Sequence, residues 1–121
     1  MSFHKWTIYR ANLDPVVGSE QGKTRPVIVI SEDEINDILN NVNVLPVTSR
    51  KPGRTIYPNE ILIEAKKYGL PNESIILCHQ IRTLDKTRLT FVYGIIDDQM
   101  KRDQIINSLC FQLGIEKTTY R

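Results

Sequence analysis

The sequence predicts a small, mainly β protein of the α+β class, in which a half-open β-barrel carries a short inserted helix and a C-terminal helix. Its 121 residues, of which 40% are hydrophobic, fit one domain over residues 1–121 with a single modest core. Short apolar runs alternate with turn residues, as in a small barrel or compact sheet rather than a helix bundle. The clearest helical periodicity lies in the last segment.

The first two runs predict two strands with different burial. The run from Trp6 to Leu13 alternates between two faces, which is typical of a strand. A polar loop follows as far as Thr24. The run from Arg25 to Ser31 is continuously apolar and β-branched, which favours a central strand covered on both faces. Pro26 is tolerated at its beginning, where the missing N–H matters least.

A short helix is expected next. Ser31 followed by Glu34 forms a capping-box signature, and three apolar residues then follow at helical spacing, namely Ile35, Ile38 and Leu39. We expect this helix to end before Asn40.

Further strands are expected in the middle of the chain. Val42 to Thr48 reads as a strand in which Pro46 indicates an edge or a bulge. The polar segment from Ser49 to Asn59 is expected to be a mobile loop. Three more strands are predicted over residues 60–65, 75–84 and 88–93, with a turn at residues 68–71 and a break at Gly94.

The C-terminal helix has a start, a face and an end. Asp97 or Asp98 can cap it, and Gly114 can terminate it. An apolar stripe is expected to pack it against the barrel, through Ile106, Leu109, Cys110 and Leu113.

Composition sets broad limits on function. The 16 basic and 14 acidic residues give a net charge of +2, which neither predicts nor excludes a nucleic-acid partner.

Cys78 and Cys110 lie in apolar runs and match no disulfide or zinc framework, so we expect two buried thiols in a reducing compartment. No apolar stretch is long enough to span a membrane, and the cytoplasm is the expected location.

Several common catalytic templates are missing from the sequence. There is no GxSxG elbow, P-loop or HExxH motif. His4 and His79 are the only histidines, and the Asp97–Asp98 pair is explained by a helix start. If the chain is an enzyme, we expect it to work without a metal or another cofactor.

Two polar segments remain as candidate sites. Lys23, Thr24 and Arg25 lie where a polar loop enters a buried strand, so a guanidinium there is held by the scaffold and still faces solvent. Residues 48–51 end another strand with two hydroxyls and two cations. Either segment alone is better explained as an ordinary surface loop. The two become a site only if their strands are neighbours.

Other polar and aromatic residues have structural interpretations. On its predicted strand, His79 is somewhat better explained as a structural histidine than as an acid or base, although the usual histidine pKa of about 6.5 leaves an acid or base role open. His4 is expected to be solvated. Trp6 and Tyr9 are better explained by the core or a dimer contact than by stacking on bases.

Three motifs follow one another over almost the whole chain, namely WTIYRANLDPVVGSEQGKTRPVIVIS, VNVLPVTS and NESIILCHQIRTLDKTRL. Together and in this order they resemble the MazF/PemK family of toxin endoribonucleases. The resemblance implies an SH3-like barrel of the CcdB/PemK type. It also implies a homodimer with an RNA groove along the subunit interface, and a MazE-like antitoxin whose disordered, acidic tail covers that groove.

The resemblance also implies roles for individual residues. Arg25 and Thr48 fall on the family's catalytic pair, and Ser19, Glu20, Gln21 and Gln80 fall on its RNA contacts. His79 departs from the acidic or other polar residue of many relatives, which leaves base preference and an auxiliary role for this residue open. We add five polar residues to the RNA-binding set, namely Lys23, Thr24, Ser49, Arg50 and His79, and no residue to a metal site.

The implied reaction is metal-independent cleavage of single-stranded RNA such as mRNA. The substrate's 2′-OH attacks the adjacent phosphate and leaves a 2′,3′-cyclic phosphate and a 5′-OH. A rival interpretation is a CcdB-like toxin that inhibits DNA gyrase by binding, although the end of this chain, Lys117–Arg121, does not resemble the aromatic gyrase contact of those toxins. A relative that binds RNA without cutting it is a third.

Overall fold

The computed structural model describes residues 2–116. Within them, two helices and seven strands follow one another in this order: β1 Thr7–Asn12, β2 Thr24–Val29, α1 Asp33–Ile38, β3 Asn41–Ser49, β4 Glu60–Ile63, β5 Ser74–Leu77, β6 Arg82–Asp85, β7 Leu89–Ile95 and α2 Gln99–Leu113. Two 3₁₀ turns, Cys78–Gln80 and Lys86–Arg88, flank β6. The predicted mainly β fold with a short inserted helix and a C-terminal helix is confirmed. The segment compared with gyrase inhibitors, Lys117–Arg121, lies outside the described residues.

The strands form one antiparallel sheet that curls without closing. Their order is β4-β5-β3-β2-β1-β7, and β6 pairs with β3 beside β5. Strand β3 is central, because one side pairs with β2 and the other side pairs first with β6 and then with β5. The polar ends of β2 and β3 therefore lie next to each other.

Two glycines let the segment between β4 and β5 lie close to β7. Gly69 has a φ of +84°, and a Cβ there would lie 1.9 Å from the carbonyl oxygen of Tyr93. A Cβ on Gly94 would lie 2.3 Å from the carbonyl oxygen of Tyr68. The predicted break at Gly94 is wrong, since β7 continues to Ile95. Gly94 instead allows the turn around Gly69 to approach the strand.

The sheet separates two apolar clusters. Ile8 and Ile28 belong to the cluster that α2 covers through Ile105. Tyr9 and Val27 belong to the cluster on the opposite face. The alternation predicted for β1 and the double burial predicted for β2 are both confirmed.

Helix α1 differs from its prediction in how it is held. Its N-cap is Glu32, with no side-chain capping bond, and the Ser31 hydroxyl instead donates to Asn36 Oδ1 at 2.5 Å. Asn36 is fully buried and donates to the carbonyl oxygens of Phe3 and Ser31. The three apolar residues of the predicted face are exposed, namely Ile35, Ile38 and Leu39. The capping box is therefore wrong, because a buried amide rather than an apolar stripe anchors this short helix.

Two expectations for the strands are also wrong. Pro46 lies neither at an edge nor in an observed bulge. It pairs with Val27 of β2, and along β3 it lies between the part that pairs with β6 and the part that pairs with β5. The run predicted as one strand over residues 75–84 is β5 and β6, separated by the turn Cys78–Gln80. His79 therefore lies on a turn rather than on the face of a strand.

Helix α2 begins and ends where the sequence indicates. The Asp98 carboxylate accepts from the Met100 N–H at 3.1 Å, and Gly114 ends the helix with a φ of +68°. Ile105, which the predicted stripe omits, is the buried residue, whereas Leu113 is exposed. None of the helices in residues 2–116 is long and apolar enough to cross a membrane.

The two cysteines differ in burial. Cys78 is fully buried, and burial raises the pKa of its thiol to about 12. Cys110 is only half-buried, so the expectation of two buried thiols holds for Cys78 alone.

Candidate active-site cleft

Arg25 and Thr48 meet at the polar ends of β2 and β3. The Arg25 Nη1–H donates to Thr48 Oγ1 at 3.3 Å, and the Arg25 Nε–H donates to the carbonyl oxygen of Gly22 at 2.8 Å. The antiparallel pairing of Val27 with Pro46 brings the two side chains together. Arg25 lies two positions before Val27 and Thr48 two positions after Pro46, so both point to the same face of the sheet. Both side chains are half-buried. The condition that the sequence left open, that the two strands be neighbours, is met.

The positive charge of Arg25 has only neutral partners. With its amide oxygen turned toward the guanidinium, Gln21 accepts from Arg25 Nη1 at 3.2 Å and from Nη2 at 3.0 Å. None of the ion pairs among the described residues includes Arg25. Its charge is therefore available to an incoming anion.

Gln80 ties the β1–β2 loop to the turn Cys78–Gln80. The Gln21 N–H donates to Gln80 Oε1 at 3.0 Å, and Gln80 Nε2 donates to the Ser19 carbonyl oxygen at 3.2 Å. Gln80 Nε2 also lies 3.3 Å from His79 Nε2. This network positions the loop beside Arg25.

These groups line a cleft of about 400 Å³, which we call the central cleft. It is bordered by ten residues: Ser19, Gln21, Arg25, Thr48, Ser49, Lys51, Arg54, Leu77, His79 and Gln80. Seven of them belong to the site predicted from the sequence. Lys51 belongs to the candidate segment 48–51 but was given no role, and Arg54 and Leu77 were missed. Which of these side chains face the cleft depends on the fold.

Two further clefts adjoin the central one. An outer cleft of about 590 Å³ shares Ser19, His79 and Gln80 with it and is also lined by Val17, Glu20, Ile81, Arg82 and Thr83. A second cleft, of about 260 Å³, shares Arg25, Thr48 and Ser49 and extends past Thr24 to Tyr93 and Leu70. Arg25 and Thr48 thus lie where a central cleft meets a smaller one.

Two residues predicted to bind RNA do not line these three clefts. The Lys23 backbone donates to Asp14 Oδ1 at 2.9 Å and has a φ of +65°. Arg50 donates to the carbonyl oxygen of Arg54 from Nε at 3.0 Å and from Nη2 at 2.7 Å, and its Nη1 lies 3.4 Å from Glu73 Oε1. Arg50 thus holds the loop after β3.

Arg54 is paired, in contrast to Arg25. Its Nη1 and Nη2 donate to the two carboxylate oxygens of Glu60 at 2.8 and 2.7 Å, and the Glu60 side chain is only 3% exposed. The hydrogen bond from Arg54, helped by the Tyr57 N–H, lowers the pKa of Glu60. This pair anchors the loop that carries Lys51.

The residues described form no group of three or more histidine, cysteine or acidic side chains that could hold a metal ion. The side chains that converge in the central cleft are cations, hydroxyls and amides, which are the groups that bind phosphate oxygens and base edges. An open barrel with this cleft defines a class of protein suited to a phosphate-bearing strand.

Comparison with known proteins identifies the family. Residues 4–111 match the model described as PemK-like, MazF-like toxin of type II toxin-antitoxin system, and the chain belongs to this family. The resemblance drawn from the three sequence motifs is confirmed.

Individual relatives agree in sequence and in fold. The chain is 41% identical over 108 residues to Endoribonuclease EndoA of Bacillus subtilis (strain 168), covering 89% of this chain and 91% of that protein. The crystal structure of MazF (Form-I) from Deinococcus radiodurans matches with a TM-score of 0.78 and 26% identity, over 94% of this chain and 98% of that one. A MazE-MazF structure (Form-II) from the same organism matches with a TM-score of 0.67 and 25% identity, over 96% and 99%.

Proposed function

We propose that this chain is the toxin of a type II toxin–antitoxin pair and acts in the cytoplasm as a sequence-specific, metal-independent endoribonuclease on single-stranded RNA such as mRNA. The observation that carries the proposal is the contact between Arg25 and Thr48 in an open cleft, with the guanidinium free of any described carboxylate. The 41% identity to Endoribonuclease EndoA supports the same activity.

The cleft suits internal transesterification of RNA. The 2′-oxygen loses its proton and attacks phosphorus, the P–O5′ bond breaks, and the 5′-oxygen gains a proton. The products are a 2′,3′-cyclic phosphate and a 5′-OH. Such a reaction depends on in-line geometry and on stabilising the charge of the phosphoryl oxygens. Because the attacking group is the 2′-OH, DNA is not a substrate.

Arg25 and Thr48 have complementary roles in this proposal. A guanidinium is a poor general base, so Arg25 stabilises negative charge rather than removing a proton. Its fork can bind two phosphate oxygens once the substrate displaces Gln21. Thr48 Oγ1 accepts a hydrogen bond from Arg25, so its own hydrogen remains available to donate to a phosphate oxygen or to the 2′-oxygen.

The rest of the cleft binds the RNA strand. Lys51 and Arg25 attract the backbone, whereas Ser19, Gln21 and Gln80 contact bases or sugars beside the scissile phosphate. Single-stranded RNA suits such a surface because its unstacked bases expose their edges. The central and outer clefts together offer room for more than one nucleotide.

The proposal includes two protein partners. A disordered, acidic antitoxin tail would compete with RNA for the same cations, and one solved relative is a MazE-MazF structure. A second copy of the chain would form a homodimer, consistent with three exposed apolar residues at the end of α2, namely Phe111, Leu113 and Ile115.

The test is to incubate the purified chain with a long single-stranded RNA in excess EDTA and to map the ends. We expect discrete cuts with 5′-OH ends, which Arg25→Ala and Thr48→Ala form much more slowly than the wild type. Arg10→Ala is the matched control, because Arg10 is exposed, lies outside the three clefts and contacts the Phe91 ring. Intact RNA across varied substrates would overturn the proposal, and inhibition of gyrase by the same preparation would support the rival function.

A further inference from the structure

The cleft of about 260 Å³ lies between the polar ends of β2 and β3 and the turn before β5, and we call it the mouth cleft. Its lining joins the ends of β2, β3 and β7 to the turn before β5: Thr24, Arg25, Pro26, Val47, Thr48, Ser49, Leu70, Pro71, Asn72, Ser74 and Tyr93. Arg25 and Thr48 also line the central cleft. A phosphate bound at this pair would therefore have one neighbouring nucleotide on the central side and the other facing the mouth.

The mouth cleft differs chemically from the central cleft. Beyond Arg25 it contains no lysine or arginine, whereas the central cleft adds Lys51 and Arg54. Its surface comes from proline, leucine and tyrosine side chains, with amide and hydroxyl groups among them. An anionic group has little to bind there, whereas a flat, neutral ring with polar edges fits this chemistry.

Tyr93 and Asn72 are the groups suited to such a ring. Tyr93 is half-buried against the core cluster and lines the cleft, so part of its ring remains accessible. The Asn72 side chain is exposed, and only its backbone carbonyl is engaged, by the Ser74 hydroxyl at 2.8 Å. Neither the Asn72 amide nor the Tyr93 hydroxyl has a hydrogen-bond partner among residues 2–116. The amide offers both a donor and an acceptor to a base edge.

The fold holds these two groups together. Gly69 and Gly94 let the turn before Leu70 approach β7 at backbone distance. Asn72 follows that turn, and Tyr93 immediately precedes Gly94. The pair of glycines thus sets the width of the mouth cleft.

The size of the cleft suits one base. Pockets for drug-sized ligands measure about 300–1,000 Å³, and this cleft is smaller. Proteins recognise single-stranded RNA by packing splayed bases on aromatic rings and bonding to their edges. Each stacked base contributes about 1–3 kcal/mol by alanine substitution.

We propose that the mouth cleft binds the base of one of the two nucleotides that flank the scissile phosphate. Tyr93 packs against the face of the base, and the Asn72 amide contacts its edge and contributes to sequence selectivity. The inference rests on the proposed ribonuclease function and adds a base-binding subsite to it.

The test is a binding cycle on RNA that cannot be cut. An oligonucleotide spanning a mapped cut carries 2′-deoxyribose at the nucleotide whose 2′-OH attacks, and its Kd is measured by fluorescence anisotropy. We expect Tyr93→Leu to raise the Kd about 5- to 100-fold, which corresponds to the loss of one stacked base. Removing the base at one of the two flanking positions should weaken wild-type binding and abolish the difference between wild type and variant. Tyr93→Phe should bind like wild type.

A second variant keeps the test independent of folding. Asn72 is exposed, so Asn72→Ala should unfold at the wild-type temperature and relax base preference at that same position alone. Asn40→Ala, an exposed asparagine outside the cleft, is the matched control. The inference is overturned if both variants bind and select RNA as the wild type does, or if the Tyr93→Leu defect persists with either flanking base removed. A wild-type chain that neither binds nor cuts RNA would instead overturn the proposed function.

Discussion

Two arginines line the central cleft, and their surroundings give them different roles. Arg25, at the start of β2, has only neutral partners, namely the Gly22 carbonyl, the Thr48 hydroxyl and the Gln21 amide. Arg54, in the loop after β3, is held by both carboxylate oxygens of the buried Glu60. The guanidinium of Arg25 is thus a positive charge without a paired carboxylate, whereas that of Arg54 is half of a structural ion pair.

The difference shows that a cation in a cleft is not by itself an anion-binding residue. A guanidinium already paired with a carboxylate gains little from a phosphate, because the phosphate must compete with the existing bonds. One that donates only to neutral groups keeps its net charge. We therefore assign phosphate binding to Arg25 and loop anchoring to Arg54.

The largest expected effect is on cleavage by Arg25 variants. Arg25→Ala should lower kcat/KM by about 100- to 1,000-fold or more, which is the usual cost of removing a preorganised charge-stabilising donor. Arg25→Lys should recover only part of it, because an ammonium lacks the bidentate fork. Single-turnover cleavage of a labelled RNA measures both. Near wild-type cleavage by Arg25→Ala would remove this residue from the mechanism.

Thr48 tests the other half of the contact. Thr48→Ala should slow cleavage about 10- to 100-fold, the effect of losing one hydrogen bond to a charged group. Thr48→Ser keeps the hydroxyl and should stay close to wild type. A Thr48→Ser variant as slow as Thr48→Ala would show that the methyl group, and thus packing, is what matters.

Arg54 should affect stability more than chemistry. Arg54→Met leaves the Glu60 carboxylate buried without its partner, and we expect it to lower the free energy of unfolding by roughly 1–3 kcal/mol. Urea unfolding measures this loss, and kcat under single-turnover conditions should change only a few-fold. If Arg54→Met instead abolished cleavage without lowering stability, the distinction between the two arginines would be wrong.

The Arg54–Glu60 pair also predicts a pH dependence of stability. The pKa of Glu60 is lowered in the folded state, so its stabilising contribution is present above the unfolded pKa of about 4.3 and is lost as the pH falls through the folded value. The difference in unfolding free energy between wild type and Glu60→Gln should therefore shrink below about pH 4. A difference that stays constant from pH 7 to pH 3 would contradict the ionised pair.

The sequence predicts elements best where one local pattern decides them. The alternation in β1, the continuous apolar run of β2 and the Asp98 and Gly114 caps of α2 each depend on neighbouring residues, and all are observed. The α1 capping box failed because the Ser31 hydroxyl bonds to Asn36 instead, a buried residue that contacts distant Phe3. A polar anchor of this kind leaves no periodic signal.

The candidate site was predictable in its residues but not in its geometry. Arg25 and Thr48 were identified through the resemblance to the family's motifs, yet their contact depends on the register between β2 and β3. The strand predicted over residues 75–84 includes His79, because the apolar run gives no sign of the 3₁₀ turn that interrupts it. The ion pair of Arg54 and the placement of Asn72 and Tyr93 in one cleft arise from the fold of the chain, so the sequence alone did not reveal them.

The most direct test of the central claim removes a single 2′-hydroxyl group from the substrate. An RNA containing one mapped cut site is compared with an identical strand that carries 2′-deoxyribose only at the nucleotide 5′ to that cut, both in excess EDTA. Attack by the 2′-OH at the Arg25–Thr48 pair predicts that the all-RNA strand gives a 2′,3′-cyclic phosphate and a 5′-OH, whereas the substituted strand binds and stays intact. Cleavage of the substituted strand at the same position would contradict the account.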